Sequence, residues 1–287
     1  MRRFRPRRIP RAPSSSNNDC GGSLYYAANE SHVTESIYRY RWLLYELVVR
    51  DLVLRYRGSA LGFVWTLLNP LLFLGVYTLV FSVYMRAAIP NYTVFLIAGL
   101  LPWQWFANSV ALGTSSIIDG RMFIGKAVFA PVILVLVPVL SAFVNFVLSL
   151  PILLMIAFAF GTHPNWPMLV LPVLIGIQLL LTVGIMLCLS TMNVFFRDLQ
   201  QLVNVILMLL FYLSGIILPI SSIPESARIF VMANPMVPLI MGYQNIFAYD
   251  KLPDSGPVLY SLVAAIAIFF AGSALFNRYK DAFADFV

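Results

Sequence analysis

Charge is scarce in this chain of 287 residues: 11% of them are Asp, Glu, Lys or Arg. A soluble domain carries about a quarter. With 60% hydrophobic residues and a mean hydropathy of +0.85, the chain cannot cover a water-facing surface with polar groups. A bilayer must therefore be its solvent. The two cysteines, Cys20 and Cys188, lie far apart and imply neither a disulfide framework nor a metal site. The two histidines, His32 and His163, are equally isolated.

Charge is also missing from particular places. A membrane helix needs about 20 mostly apolar residues, because hydrocarbon is about 30 Å thick and each residue rises about 1.5 Å. That length predicts six spans, at 61–84, 93–117, 130–160, 168–195, 201–218 and 257–277. None of them contains Asp, Glu, Lys, Arg or His. An enzyme acting on lipid or sugar inside a membrane needs acids, bases or a metal. Acid–base catalysis at bilayer depth is thus disfavoured, and ion-coupled transport lacks a charged relay. The long third and fourth spans should tilt, kink or extend beyond the lipid, with Pro102, Pro131, Pro138, Pro151 and Pro172 as kink or end points along the chain.

One motif comes close to catalysis and fails. GRMFIGKA, Gly120 to Ala127, fits the phosphate-binding pattern G-x-x-x-x-G-K but ends in Ala. The Ser or Thr hydroxyl that would hold Mg²⁺ is missing, and the segment joins two apolar spans rather than a strand and a helix. Any ATP is expected on another subunit, with no cofactor bound by this chain.

The charge that is present has a pattern. Sixteen of the nineteen Lys and Arg residues fall in 1–57, 119–128, 197–200 and 278–287. These segments share one side of a six-span topology, so both termini should be cytoplasmic. The net charge of +7 does not point to nucleic acid, because the basic residues flank membrane spans. Residues 1–35 hold six arginines in their first eleven positions, then Ser, Asn, Pro and Gly. They read as a disordered basic cytoplasmic tail held near anionic lipid. The Arg2-Arg3 pair has no apolar stretch of signal-peptide length behind it, which argues against a twin-arginine signal. In 36–58, arginines including Arg50, Arg55 and Arg57 interleave with Leu, Val and Tyr at helical spacing. That suits an amphipathic interfacial helix. Residues 59–287 form the membrane domain.

Between the fifth and sixth spans, two apolar pieces at 224–233 and 236–249 are too short to cross. Asn234-Pro235 divides them. They read as a re-entrant pair of half-helices, and Pro224, Asn234 and Pro235 mark the candidate outer gate; the alternative is a capping hairpin with no moving part. The uncharged polar residues Asn69, Gln104, Asn108, Asn145, Gln178, Asn193 and Asn204 must face a neighbouring helix or a water-filled path. Aromatic residues are the remaining signal. Phe73, Tyr77, Phe81 and Tyr84 recur on one helical face. Trp103, Trp105 and Phe106 follow in the second span, and Phe211 and Tyr212 in the fifth. Such rings can stack on the apolar faces of sugars in a sliding chain, or can face lipid at the interface.

These pieces, in this order, resemble the ABC-2-type permeases that export polysaccharides: O-antigen, capsule and teichoic acid transporters. The resemblance rests on Arg55, Tyr56, Ser59, Leu61, Gly62, Trp65, Asn69 and Pro70, then GLLPWQWFANSV (99–110), NVFFRDLQQLV (193–203) and NPMVPLI (234–240). It covers most of 38–278. It implies an all-α integral membrane protein of six transmembrane helices in the inner membrane. A homodimer of this subunit would work with two copies of an ABC ATPase carrying ATP and Mg²⁺, and pass a lipid-linked glycan. It implies an aromatic channel closed outside by the half-helix pair. It also maps an ATPase-coupling helix onto Asp119–Phe129, with Asp119, Arg121, Phe123 and Lys126 as contacts. The family usually has a Lys-Lys-rich segment there and a basic residue after Phe-Pro; Phe129-Ala130-Pro131 lacks the latter.

Overall fold

The structure is a computed structural model, and it describes residues 40–57, 62–80, 91–122, 130–162 and 166–286. The tail 1–35 and the positions Phe81, Tyr84, Phe123 and Lys126 lie outside the described residues. Every described element is helical, with no strand among the described residues. The α-helices are α1 (Arg41–Tyr56), α2 (Trp65–Thr78), α3 (Tyr92–Thr114), α4 (Ser116–Asp119), α5 (Val132–Ala159), α6 (Leu171–Phe195), α7 (Leu199–Leu213), α8 (Glu225–Met232), α9 (Met236–Ala248), α10 (Ser255–Tyr279) and α11 (Phe283–Phe286).

Four stretches are long and apolar enough to cross a membrane: Tyr92–Thr114, Val132–Ala159, Trp166–Phe195 and Ser255–Ala282. The apolar α7 is shorter, at 15 residues, or about 22 Å. Its chain continues as non-helical backbone through Ser214–Pro219, of which Ser214, Gly215, Ile216 and Ile217 are buried. Irregular backbone at such depth is tolerated where protein covers it.

Helix α3 is the centre of the bundle. It packs against α2, α5, α6, α7 and α9, and most of its residues are buried. Trp105 stacks on Phe146 of α5 at 5.0 Å between ring centroids and tilts against Phe143 at 5.0 Å. Pro102 lies inside α3, and Pro138 and Pro151 inside α5. Pro131 and Pro172 stand at the starts of α5 and α6, where a missing N–H costs no helical bond. Gln178 of α6 donates its side-chain N–H to the Pro102 carbonyl at 2.8 Å, fastening α6 to α3 beside the proline. Four Ser and Thr hydroxyls bond within their own helices. Ser109, Thr114, Thr182 and Thr191 each donate to the carbonyl four residues earlier, at 2.7–2.8 Å.

Helices α6 and α10 make the closest crossing. A Cβ built on Gly272 would collide with the Gly184 carbonyl oxygen, and one on Gly184 would stand 2.7 Å from the Phe269 backbone. Helices driven together without a hydrophobic effect between them rely on such close approach. Gly272→Val should therefore cost about 1–3 kcal/mol, as overpacking does when backbone cannot yield. Thermal unfolding of the purified protein in detergent checks this; Gly256→Ala, which meets open space, should leave the transition unmoved.

Candidate functional site

Helices α2, α3 and α7 enclose a groove of about 300 Å³. Each contributes one face at helical spacing: Phe73 and Tyr77 from α2; Leu100, Trp103, Gln104 and Ala107 from α3; Leu207, Met208, Phe211 and Tyr212 from α7. Among the described residues the lining carries no charged side chain. Its rings form a continuous series. Phe73 stacks on Tyr77 with centroids 6.3 Å apart, Tyr77 meets Phe211 at 5.8 Å, and Phe211 meets Trp103 at 6.2 Å and Tyr212 at 5.2 Å.

Sequence reasoning named these aromatic residues on three separate helices, and the fold brings Phe73, Tyr77, Trp103, Phe211 and Tyr212 to one groove. Phe106 is placed differently: it is buried and backs Trp103 at 5.6 Å without lining the groove. Trp105 points the other way, into the α3–α5 core. Leu207 and Met208 were not singled out. Their signal was available, because both lie within one turn of Phe211.

The two half-helices meet at a held elbow. Asn234 accepts the Met236 N–H on its side-chain oxygen at 3.0 Å, a turn that satisfies one of the free donors at the start of α9. The Asn234 amide also reaches the Ser214 hydroxyl at 3.5 Å. From α10, the Tyr260 hydroxyl donates to the Ala233 carbonyl at 2.6 Å and the Ser261 hydroxyl to that of Pro235 at 2.8 Å. The limbs on either side differ. Helix α9 is core, with Met236, Val237, Leu239, Ile240, Tyr243, Ile246 and Phe247 all buried. Helix α8, which begins after Pro224, is surface, with Ile229 71% and Phe230 79% exposed. Arg228 holds it to the preceding turn by donating to the Ile223 carbonyl at 3.2 Å. The charges divide the same way, with Glu225 and Arg228 in α8 and none in α9.

Helix α1 lies against α5 and buries Leu44 and Val48, while Trp42, Tyr45, Val49, Val53 and Leu54 stay exposed. Arg50 and Arg57 are exposed. Arg55 pairs with Asp51 at 2.8 Å along the helix. Past α4, which ends at Asp119, Arg121 is exposed. Gly120 lets this turn lie on α5, since a Cβ there would stand 2.5 Å from Leu134. The false phosphate loop follows helices α3 and α4, where a phosphate loop follows a strand.

An apolar bundle with long membrane-length helices and an uncharged aromatic groove is the build of a multi-pass membrane transport subunit. Residues 43–248 match the family described as ABC-2 type transporter, and the chain belongs to that family. It is similar to the O-antigen export system permease protein RfbA of Myxococcus xanthus, at 42% identity over 255 residues, which cover 88% of this chain and 98% of the relative. The protein of that name from Klebsiella pneumoniae is 35% identical over 246 residues, 85% of this chain and 94% of the relative. The polysialic acid transport protein KpsM of Escherichia coli is more distant, at 22% identity over 241 residues, 82% of this chain and 93% of the relative.

The elbow yields a direct prediction. Asn234→Ala removes the acceptor for the Met236 N–H and should lower stability by about 1 kcal/mol. Amide hydrogen exchange should quicken at Met236 and Val237, with protection in α5 unchanged.

Proposed function

We propose that this chain is the membrane-spanning permease subunit of an ATP-driven exporter that moves a lipid-linked polysaccharide of the O-antigen type across the cytoplasmic membrane. The observation that carries this is the uncharged groove of α2, α3 and α7, whose rings are placed to stack on sugar faces in a chain related end to end to O-antigen permeases. Aromatic faces give many weak contacts, which suits a polymer that must slide. Members of this family work with an ABC ATPase. In this reading ATP and Mg²⁺ belong to that partner, two copies of which dock on a homodimer of this chain.

The remaining parts take their places accordingly. Six spans, with α2 and α7 completing the four long stretches, put both termini in the cytoplasm, as the basic residues require. The exposed apolar faces of α2 and α7, including Leu72, Val76, Val205 and Leu209, would meet the second copy. Helix α1 lies in the cytoplasmic interface. Asp119 and Arg121, with Phe123 and Lys126 beyond them, form the coupling segment that contacts the ATPase. The half-helix hairpin, with Pro224, Asn234 and Pro235, closes the path outside. The burial of α9 and exposure of α8 favour a gate in which α8 is the part that moves.

Reconstitution with a candidate ABC ATPase should give ATP-dependent transfer of lipid-linked glycan into vesicles. Failure of ATPase and permease to copurify, together with no transfer, overturns the reading. Transfer of small lipids or drugs alone would make it an exporter of another class. Tyr77→Ala should slow glycan export about threefold to tenfold, the worth of one aromatic contact, while the complex still assembles. Normal export would place that ring in packing alone.

A further inference from the structure

The groove has two long walls, α3 and α7, and their register can be followed along its length. The helices run antiparallel. Trp103 meets Phe211 in the middle, 6.2 Å between centroids. Toward one end, Gln200 of α7 donates its side-chain N–H to the Ala111 carbonyl of α3 at 2.8 Å. Toward the other end, one helical turn beyond Trp103 and Phe211, stand Gly99 and Gly215. Between them lies a side chain from a third element, Gln244 of α9. It donates its amide N–H to the Gly215 carbonyl at 3.0 Å and is 3% exposed.

The slot around Gln244 is built for it from both sides. A Cβ on Gly99 would stand 2.8 Å from the Gln244 side-chain nitrogen, so any larger residue at that point of α3 would press the amide out of its place. Gly215 has φ +72°, and a Cβ there would stand 2.6 Å from Ile220. This left-handed residue turns the chain out of α7, and its carbonyl sits in buried, non-helical backbone. A buried carbonyl of that kind needs a donor, and Gln244 supplies one. Helix α9 is itself core, so the bond ties the end of α7 to a fixed element and not to the exposed α8.

We propose that Gln244 and Gln200 are positioning residues of the groove. Gln244, wedged between Gly99 and Gly215, and Gln200, bonded to Ala111, clamp α3 to α7 at the two ends of the aromatic wall and set its width. Neither side chain touches the substrate. Their action is through Trp103, Phe211 and Tyr212, whose spacing follows from the two clamps. The inference rests on the groove reading for its functional meaning, and on geometry alone for its structural content.

The test measures the spacing directly. In the full permease with its ATPase, on a background of Cys20→Ser and Cys188→Ser, Trp103→Cys and Phe211→Cys form a pair for thiol cross-linkers of graded length. Gln244→Met and Gln200→Met keep volume and remove the donor. Each should cut the yield with the shortest reagent about threefold to tenfold, the ratio one net hydrogen bond supports. Gly99→Ala should do the same by pushing the amide off Gly215. Because it acts through Gln244, adding it to Gln244→Met should lower the yield no further. If the Met variants fail to assemble, Gln244→Asn, too short to span the slot, gives the same reading. Undiminished yield in the assembled variants overturns the positioning role whatever export does, and additive losses overturn the wedge between Gly99 and Gly215. Export is measured separately, in the single variants with the rings intact. A reduced yield with undiminished export leaves the clamps standing and overturns the groove as the glycan path.

Discussion

Hydrocarbon offers a peptide group no hydrogen-bond partner, and each unmet donor or acceptor there costs several kcal/mol. This constraint orders the whole molecule. It makes every described element a helix, and it decides what happens wherever a helix stops. In the last turn of α3 the Ala111 carbonyl is met by Gln200, and past the end of α7 the Gly215 carbonyl is met by Gln244; inside α3, Gln178 adds a bond to the Pro102 carbonyl. The elbow carbonyls are met by Tyr260 and Ser261. Glutamine and hydroxyl side chains recur at these places because they carry a donor without a charge. A lysine could make the same bond, but its charge would have to be desolvated.

The same constraint explains why the chain can afford breaks at all. A helix broken at depth exposes backbone, and a protein that moves a large substrate needs breaks so that parts can shift. Here the breaks are unequal. The non-helical stretch after α7 is buried and bonded, and α9 beyond it is core. Helix α8 is a short surface limb held by Arg228 and by the elbow. Buried and exposed pieces are thus separated within one hairpin, at the residue pair Asn234-Pro235.

Much of this was legible in the sequence. Long apolar runs without charge predicted helices, and Asn234-Pro235 divided the hairpin because proline cannot continue a helix. The spacing of Phe73 and Tyr77, and the pair Phe211-Tyr212, identified faces. What spacing cannot give is which faces meet. Trp103 and Trp105 are two residues apart and read alike as tryptophans. One lines the groove and the other fills the α3–α5 core, because two residues on a helix turn a side chain to the far side. Gln244 was not singled out for a similar reason. A single glutamine in NPMVPLIMGYQNIFAYD carries no pattern. Its meaning comes from Gly99 and Gly215, far away in the chain, whose lack of side chain is legible only when the helices are packed.

The groove itself illustrates how weak interactions can be made to serve a moving substrate. A tight site would hold a polymer in place, because each kcal/mol of differential affinity is a barrier to the next step. Rings in series, each stacking with modest strength, spread the interaction over length and leave no deep well. For that to work the rings must keep their spacing while the substrate passes, since a wall that collapses onto itself buries its own faces. Tyr77 and Trp103 each lie against Phe211. In the reading proposed above, the amides bonded to backbone carbonyls at its two ends fix the distance between the walls without placing a charge beside the sugar hydroxyls.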